Sequence, residues 1–239
     1  MLKNLNLKKI LFLDIETVPE EENYNDLSPY RQELLEQKSA YQRGENTPPE
    51  EFYERAGIWA EFGKIVCISV GYFDPNQTAF SFRLKSFWGD EKELLLEFKE
   101  LLDTFFYQKS QLLCAHNGKE FDFPYIARRM IIHGIELPQL LQIAGKKPWE
   151  IQHLDTLQLW KFGDYKHYTS LKLLAEILGI PSPKDDIDGS QVAHVYYKEK
   201  NLPRIVTYCE KDVITIAQVL LRFCNKPLLN ENQIVWAKS

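Results

Sequence analysis

Residues 8–16 read KKILFLDIE, an apolar run interrupted by Asp14 and closed by Glu16. Side chains alternate across a strand, so Ile10, Phe12, Asp14 and Glu16 share one side. The run reads as a buried first strand with both carboxylates at its C-terminal end. Two carboxylates pointing the same way repel unless a cation or a proton relieves them. The plainer alternative is a strand that ends in solvent, with Glu16 as ordinary surface. The run is short and has no small-residue cleavage site, so it reads as a strand and not as a signal peptide. No apolar run approaches the roughly 18 residues of a membrane span.

With 239 residues, the chain is long enough for one sizeable domain with a real core. GKIVCISVGYF (63–73) and TAFSFRLKSF (78–87) flank Asp74-Pro75-Asn76, which reads as a hairpin turn. QLLCAH (111–116) is another short buried strand. SPYRQELLEQKSAYQ is expected to start a helix at Ser28 with Pro29 in its first turn. DEKELLLEFKELLDTFF forms an amphipathic helix from near Asp90, and FDFPYIARRMIIHG one that ends at Gly134. The later half is mainly helical, over 155–161, 169–178, 188–199 and 202–223. Strands first, then helices interposed and finally dominant, predict an α/β domain around a mixed sheet. No repeat or second-domain linker is visible, so 1–239 reads as a single domain.

The net charge of −5 runs against a polyanionic substrate until its distribution is considered. Residues 19–54 hold ten acids against three bases, a net of −7, which leaves +2 for the rest. Acidity concentrated in one segment does not exclude nucleic acid, but it argues against strong non-specific grip. Four cysteines (Cys67, Cys114, Cys209, Cys224) contain no C-x-x-C pair, and three sit inside apolar patterns. They read as reduced core thiols of a cytoplasmic protein, and zinc binding is not expected.

The last helix carries an apolar stripe through Ile205, Tyr208/Cys209, Val213, Ile216, Leu220 and Phe223. Lys211, Thr215, Gln218 and Arg222 fall on the opposite face. Asp212 lies on or beside the inward stripe, one turn after Tyr208, so both project the same way. A buried carboxylate needs a partner or a metal, and a salt bridge to a distant Arg satisfies the pattern equally well. Asn117-Gly118-Lys119-Glu120-Phe121-Asp122 joins QLLCAH to the next helix. There Asp122 reads either as a helix N-cap or as a ligand at a strand end, where open α/β sheets place their sites.

Together, LDIET, NGKEFD and YCEKD resemble the three exonuclease motifs of the DEDD (DnaQ-like) superfamily. HLDTLQLW, SLKLLAEILGI and DGSQVAHVYY extend the similarity over about residues 9–224. The histidine subclass needs His five residues before Asp212, where Thr207 stands; the tyrosine subclass needs Tyr four before it, where Tyr208 stands. The chain is therefore most similar to the proofreading domains of family-B DNA polymerases, as a free-standing member.

The resemblance implies a ribonuclease H-like α/β fold with a mixed sheet of about five strands flanked by helices. It also implies metal-dependent 3′–5′ hydrolysis that releases nucleoside 5′-monophosphates. Asp14 would bridge two Mg2+ or Mn2+ ions about 3.5–4 Å apart, Glu16 and Asp212 would complete one site, and Asp122 would hold the second. Tyr208, a phenol with an ordinary pKa near 10, would orient the attacking water and not deprotonate it. Asp155 reads as a support or a helix cap. Thr17, Val18, Asn117 and Phe121 are candidate substrate contacts, with core packing or an Asn-Gly turn as the alternatives. The expected partners are single-stranded 3′ ends, DNA before RNA, with no membrane and no indicated protein partner. Exoribonuclease activity, or a non-catalytic binding module of the same fold, are the rival readings.

Lysines and aromatics interleave from Lys146 to Lys172, as stacking on single-stranded bases requires, although solvated lysines around an aromatic core give the same pattern. The five histidines have no metal-ligand spacing and read as structural. The acidic insertion at about 19–57 follows the first motif directly. It reads as a flap at the mouth of the site, a repellent of duplexes, a partner contact or a cover for the sheet.

Overall fold

The apolar run at 10–15 becomes the central strand of the sheet, because both of its faces find cover. The computed structural model describes residues 2–43, 47–74, 80–147, 149–164, 168–181 and 187–237. Its strands are β1 (Ile10–Pro19), β2 (Gly63–Phe73), β3 (Phe82–Trp88), β4 (Leu112–Ala115), β5 (Leu154–Asp155) and β6 (Ile234–Trp236). They form one mixed sheet in the order β5-β4-β1-β2-β3-β6. The β1–β2 and β2–β3 pairs are antiparallel; β1–β4, β4–β5 and β3–β6 are parallel.

The helices are α1 (Pro29–Ser39), α2 (Pro49–Tyr53), α3 (Glu91–Phe105), α4 (Asp122–Ile132), α5 (Thr156–Lys161), α6 (Leu171–Ile177), α7 (Val192–Tyr197) and α8 (Leu202–Phe223). Their starts follow the sequence closely. The side chains of Ser28, Asp90, Ser170 and Asn201 each accept a backbone N–H of the turn that follows, satisfying otherwise orphaned donors. No helix among the described residues is long and apolar enough to cross a membrane.

The alternation of β1 divides the core. Leu11, Leu13 and Ile15 pack under α3 and α4 with Leu95, Phe98, Phe123 and Ile126. Ile10 and Phe12 face α8, meeting Val213, Ile216, Ala217 and Leu220. Phe12 stands edge-on to Phe73 and Phe82 at 5.8 and 5.7 Å. Opposite it in register is Gly71, where a Cβ would come within 2.3 Å of the Phe82 ring, so this aromatic cluster closes only over glycine.

The sheet is mixed and flanked by helices as expected, and Ile234–Trp236 brings its strands to six by pairing with the edge strand β3; three residues are too few to show a period. Three expectations need correction. β1 does not end at Glu16 but runs on to Pro19, held by β2 through a bulge between Glu16 and Thr17. Thr215 and Gln218, assigned to the solvent face of α8, are buried. Gln218 exchanges two hydrogen bonds with the backbone of Leu229, because the chain folds back over the helix. Asp122 is the first residue of α4 and Phe121 is the cap position. The turn at 74–76 falls largely outside the described residues.

Residues 20–62 connect β1 to β2 and carry a small core of their own: Leu27, Leu35, Tyr53, Ala56 and Phe62. Arg31 pairs with Glu20 and donates to the Glu61 carbonyl at 2.7 Å. Tyr197 donates to the carbonyls of Pro19 and Glu20 at 2.6 and 3.0 Å.

Beneath this segment, the buried Glu91 carboxylate accepts the Ile65 N–H at 2.7 Å, Arg129 Nε at 2.8 Å and His133 Nε2 at 2.7 Å. Arg129 also donates to the Ala60 carbonyl at 2.8 Å. Breaking a buried pair on one side strands a charge, so Arg129→Met should cost about 3–5 kcal/mol. Urea denaturation measures it, and a loss below about 1 kcal/mol would show that solvent reaches Glu91.

Candidate active site

The parallel strands β1, β4 and β5 all run toward the same edge of the sheet, and the acids collect there. β4 pairs with β1 only as far as Phe12. Beyond that point β1 continues with β2 alone on its other side, leaving a crevice beside Asp14 where open α/β sheets bind ligands. Asp14 is half-buried and Glu16 is only 7% exposed. α8 crosses this stretch and brings Tyr208, Cys209 and Asp212 to it. Ligand atoms of Asp14, Glu16 and Cys209 lie within 4.8 Å of one another. Asp122 enters from the other side, at the N-terminus of α4, and is only 2% exposed. Backbone hydrogen bonds from Asp122 itself and from Ile15 hold its carboxylate.

The loop that carries Asp122 is fixed by Asp155. That carboxylate accepts the N–H groups of Asn117 (3.0 Å) and Lys119 (3.1 Å), and those of Leu157 (3.0 Å) and Gln158 (3.2 Å) at the start of α5. It is thus both a support and a helix cap. Asn117 adopts a left-handed φ of 66°, which Asn tolerates better than most residues. At Gly118 a Cβ would lie 2.4 Å from that of Ala115.

Burial chiefly, then Glu16, Asp212 and Asp122, push the Asp14 carboxyl well above its ordinary value. Burial, then Asp212, raise Glu16 in the same way. Asp122 is pushed up to about 7 by burial, aided by Asp155 and Asp212, against the pull of its backbone hydrogen bonds. Among the described residues no Lys or Arg forms an ion pair with Asp14, Glu16 or Asp122. Tyr208 is raised by burial and by Asp212, Glu16 and Asp14, so its phenol keeps its proton. The candidate donors are the carboxylates of Asp14, Glu16, Asp122 and Asp212, hard oxygens of the kind a divalent cation takes.

Asp14, Tyr208 and Asp212 line a cleft of about 390 Å³ with His116, Tyr168 and Lys172. His116 is not a ligand. Its Nε2 donates to the Thr169 carbonyl and its Nδ1 meets Thr156 Oγ1, both at 2.9 Å, while burial lowers its pKa. It ties the cleft wall to β4 and α5. Tyr168, edge-on to that imidazole, leaves 66% of itself exposed in the cleft. Within the described part of the Lys146–Lys172 stretch, Trp160 stacks on Phe223 in the core. Of the described lysines and aromatics of that stretch, Tyr168 and Lys172 line the cleft, together with Ser170 and Leu171; Tyr165 and Lys166 lie outside the described residues.

The weaker substrate candidates divide. Val18 is fully buried among Val66, Ile187 and Val192, so core packing explains it. Thr17 hydrogen-bonds the Tyr125 hydroxyl, which donates to the Gly57 carbonyl at 2.8 Å. Phe121 leans on Tyr125 and stays half-buried. Cys209 is a free, buried core thiol as expected, and it also places its sulfur 3.5 Å from Asp14 Oδ2. Its position between Tyr208 and Asp212 was the available signal.

A family model described as a predicted 3′–5′ exonuclease related to the exonuclease domain of PolB matches residues 58–231. That span holds Asp122, Tyr208 and Asp212 but neither Asp14 nor Glu16. Among solved structures, the family B DNA polymerase of the hyperthermophilic archaeon Pyrobaculum calidifontis aligns at a TM-score of 0.54 and 16% identity. The alignment covers 90% of this chain and 24% of the polymerase, so the chain spans about a quarter of that polymerase's length. At this identity the likeness shows the fold, a ribonuclease H-like one. The RNase domain of yeast Pop2 aligns at a TM-score of 0.39 and 14% identity, over 87% of this chain and 79% of that one.

In EDTA the native state holds a proton on Asp122 that the unfolded chain releases. With a folded pKa of about 7 against an ordinary 3.8, that contribution to stability is complete below pH 3.8 and is lost as pH rises through about 7. The Tm of Asp122→Asn minus that of the wild type should therefore grow between about pH 4 and pH 8. A difference independent of pH would show that Asp122 titrates as an ordinary carboxylate.

Proposed function

The chain belongs to the family of predicted 3′–5′ exonucleases related to the exonuclease domain of PolB, and from that membership we propose that it shortens single-stranded DNA from the 3′ end. In this reading it is of the tyrosine subclass, and residues 1–239 act as one domain with an acidic insertion at 19–57. One observation carries the proposal. Four carboxylates from three stretches of chain and Tyr208 lie within electrostatic reach of one another, with Asp14, Tyr208 and Asp212 on the wall of one cleft and no cation of the described protein paired to Asp14, Glu16 or Asp122.

Such a cluster fits two divalent cations, Mg2+ or Mn2+, held by Asp14, Glu16, Asp122 and Asp212. When bound, they supply positive charge to the scissile phosphate and acidify the attacking water. The residues do the rest. Burial and mutual repulsion favour protons on these acids in the absence of metal, so cation binding releases protons and strengthens as pH rises. Tyr208, held protonated by its acidic neighbours, donates to Asp212 in this structure; with Asp212 on a cation that proton would turn to orient water or a phosphate oxygen, and Tyr208 is not the base. Asp155 keeps Asp122 in place through the Asn117 and Lys119 amides. Tyr168 and Lys172 give the cleft wall an aromatic face and a positive charge, the pairing that suits a single strand. The preference for DNA rests on the relation to PolB. The four free, buried cysteines suit the reducing cytoplasm.

The test uses 5′-labelled single-stranded DNA and a matching RNA with Mg2+, Mn2+ or EDTA, and wild type beside Asp14→Ala and Tyr208→Phe. A ladder that shortens from the 3′ end with metal, and vanishes with EDTA or Asp14→Ala, is expected. Tyr208→Phe should slow it about 10- to 100-fold. Faster shortening of RNA would overturn the DNA preference. No shortening of either strand with any metal would leave a binding module of the same fold.

A further inference from the structure

Asp14 poses a physical problem that the acid cluster does not solve by itself. Its side chain has two rotatable bonds, a crevice open beside it, and Glu16, Asp122 and Asp212 all raising the cost of its charge. Repulsion of that kind turns an ionised carboxylate toward solvent unless a donor holds it. Among the described residues, a side-chain donor that reaches it is the thiol of Cys209, with Sγ 3.5 Å from Asp14 Oδ2 and 3.4 Å from the Asp14 carbonyl.

We infer that Cys209 is a positioning residue, whose S–H fixes the Asp14 carboxylate in the orientation that metal binding needs. The inference rests on the metal-binding reading of the acid cluster given above. The thiol is well placed for the role. It is fully buried between α8 and the sheet among Val18, Cys67 and Ile205, so water cannot compete for its proton. It touches both the carbonyl and the carboxylate of one residue, which ties the side chain to its own strand.

Cys67, opposite Glu16 in the β1–β2 register, hydrogen-bonds Cys209 from the far side and lies 3.6 Å from Ser69 Oγ. The α8 segment 208–212 would thus deliver the orienting phenol, the positioning thiol and a ligand within little more than one turn. The competing role for Cys209 is that of a small apolar filler. The two differ in what a hydroxyl or a methyl does at that place.

Mn2+ affinity, measured by electron paramagnetic resonance on the full chain, separates them. Cys209→Ser keeps a donor, Cys209→Val keeps volume without one, and Cys209→Ala removes both. Cys224→Ala removes a sulfur just beyond the far end of the same helix. Disturbed partners of metal ligands typically lower affinity 10- to 100-fold. The expected result is a loss of about tenfold or more in Cys209→Val and Cys209→Ala, near wild-type affinity in Cys209→Ser, and no change in Cys224→Ala. Should Cys209→Ala fail to fold, the Ser and Val variants decide alone. Equal Mn2+ affinity in Cys209→Val and wild type would overturn this role and leave the metal reading intact, as would equal losses in Ser and Val. Wild type that binds no Mn2+ would overturn both.

Discussion

Like charges brought together out of water set the terms for the rest of this molecule. Asp14, Glu16 and Asp122 are raised first by burial and then by neighbouring carboxylates, a cost that no isolated strand or helix would sustain. The apolar packing on both faces of β1 supplies the means. Leu11, Leu13 and Ile15 lock under α3 and α4, and Ile10 and Phe12 lock against α8. The odd positions of the strand anchor it and the even ones carry both core and charge. A strand gripped on only one face would tilt its acids into water and relieve the repulsion, and with it the affinity for a cation.

Much of this was legible in the residues because it is local. The period of two in KKILFLDIE, the turn between Tyr208 and Asp212, and the capping residues Ser28, Asp90 and Asp155 each report a geometry set within a few residues. What escaped depends on distant chain. Gln218 reads as solvent-facing on a helical wheel and is buried only because Leu229 returns to bond it. β1 extends past Glu16 because β2 is there to pair with it, and β6 exists because β3 offers an edge. Cys209 looks apolar in sequence and has a polar assignment only beside Asp14. His116 and Tyr168 shape a cleft whose other wall comes from α8, where Tyr208 stands far along the chain from both. Periodicity sees faces, and a site is made where faces from different elements meet.

The family match begins at residue 58, after the strand that holds two of the four acids. The fold nevertheless returns that strand to the middle of the sheet, with Asp14 and Glu16 in register with Ser69 and Cys67 of β2. The matched segment therefore contains the partner that positions the unmatched one. Asp155 plays the same part on the other flank, binding amides of the 117–119 loop and of the first turn of α5 and making no contribution to the cleft lining itself.

β1 and β2 are neighbours that an ordinary hairpin would join through a few residues, yet 43 residues lie between Pro19 and Gly63. Closing a loop of that length costs about 2 kcal/mol more chain entropy than closing a tight turn, and the cost falls before the first ladder hydrogen bond forms. The small core of Leu27, Leu35, Tyr53, Ala56 and Phe62 shortens the effective loop if it condenses early. The acidic segment then acts on the folding rate of the sheet as much as on access to it. The order of events during folding, and not only the finished surface, becomes a reason for 43 residues to interrupt the hairpin that carries the first two acids.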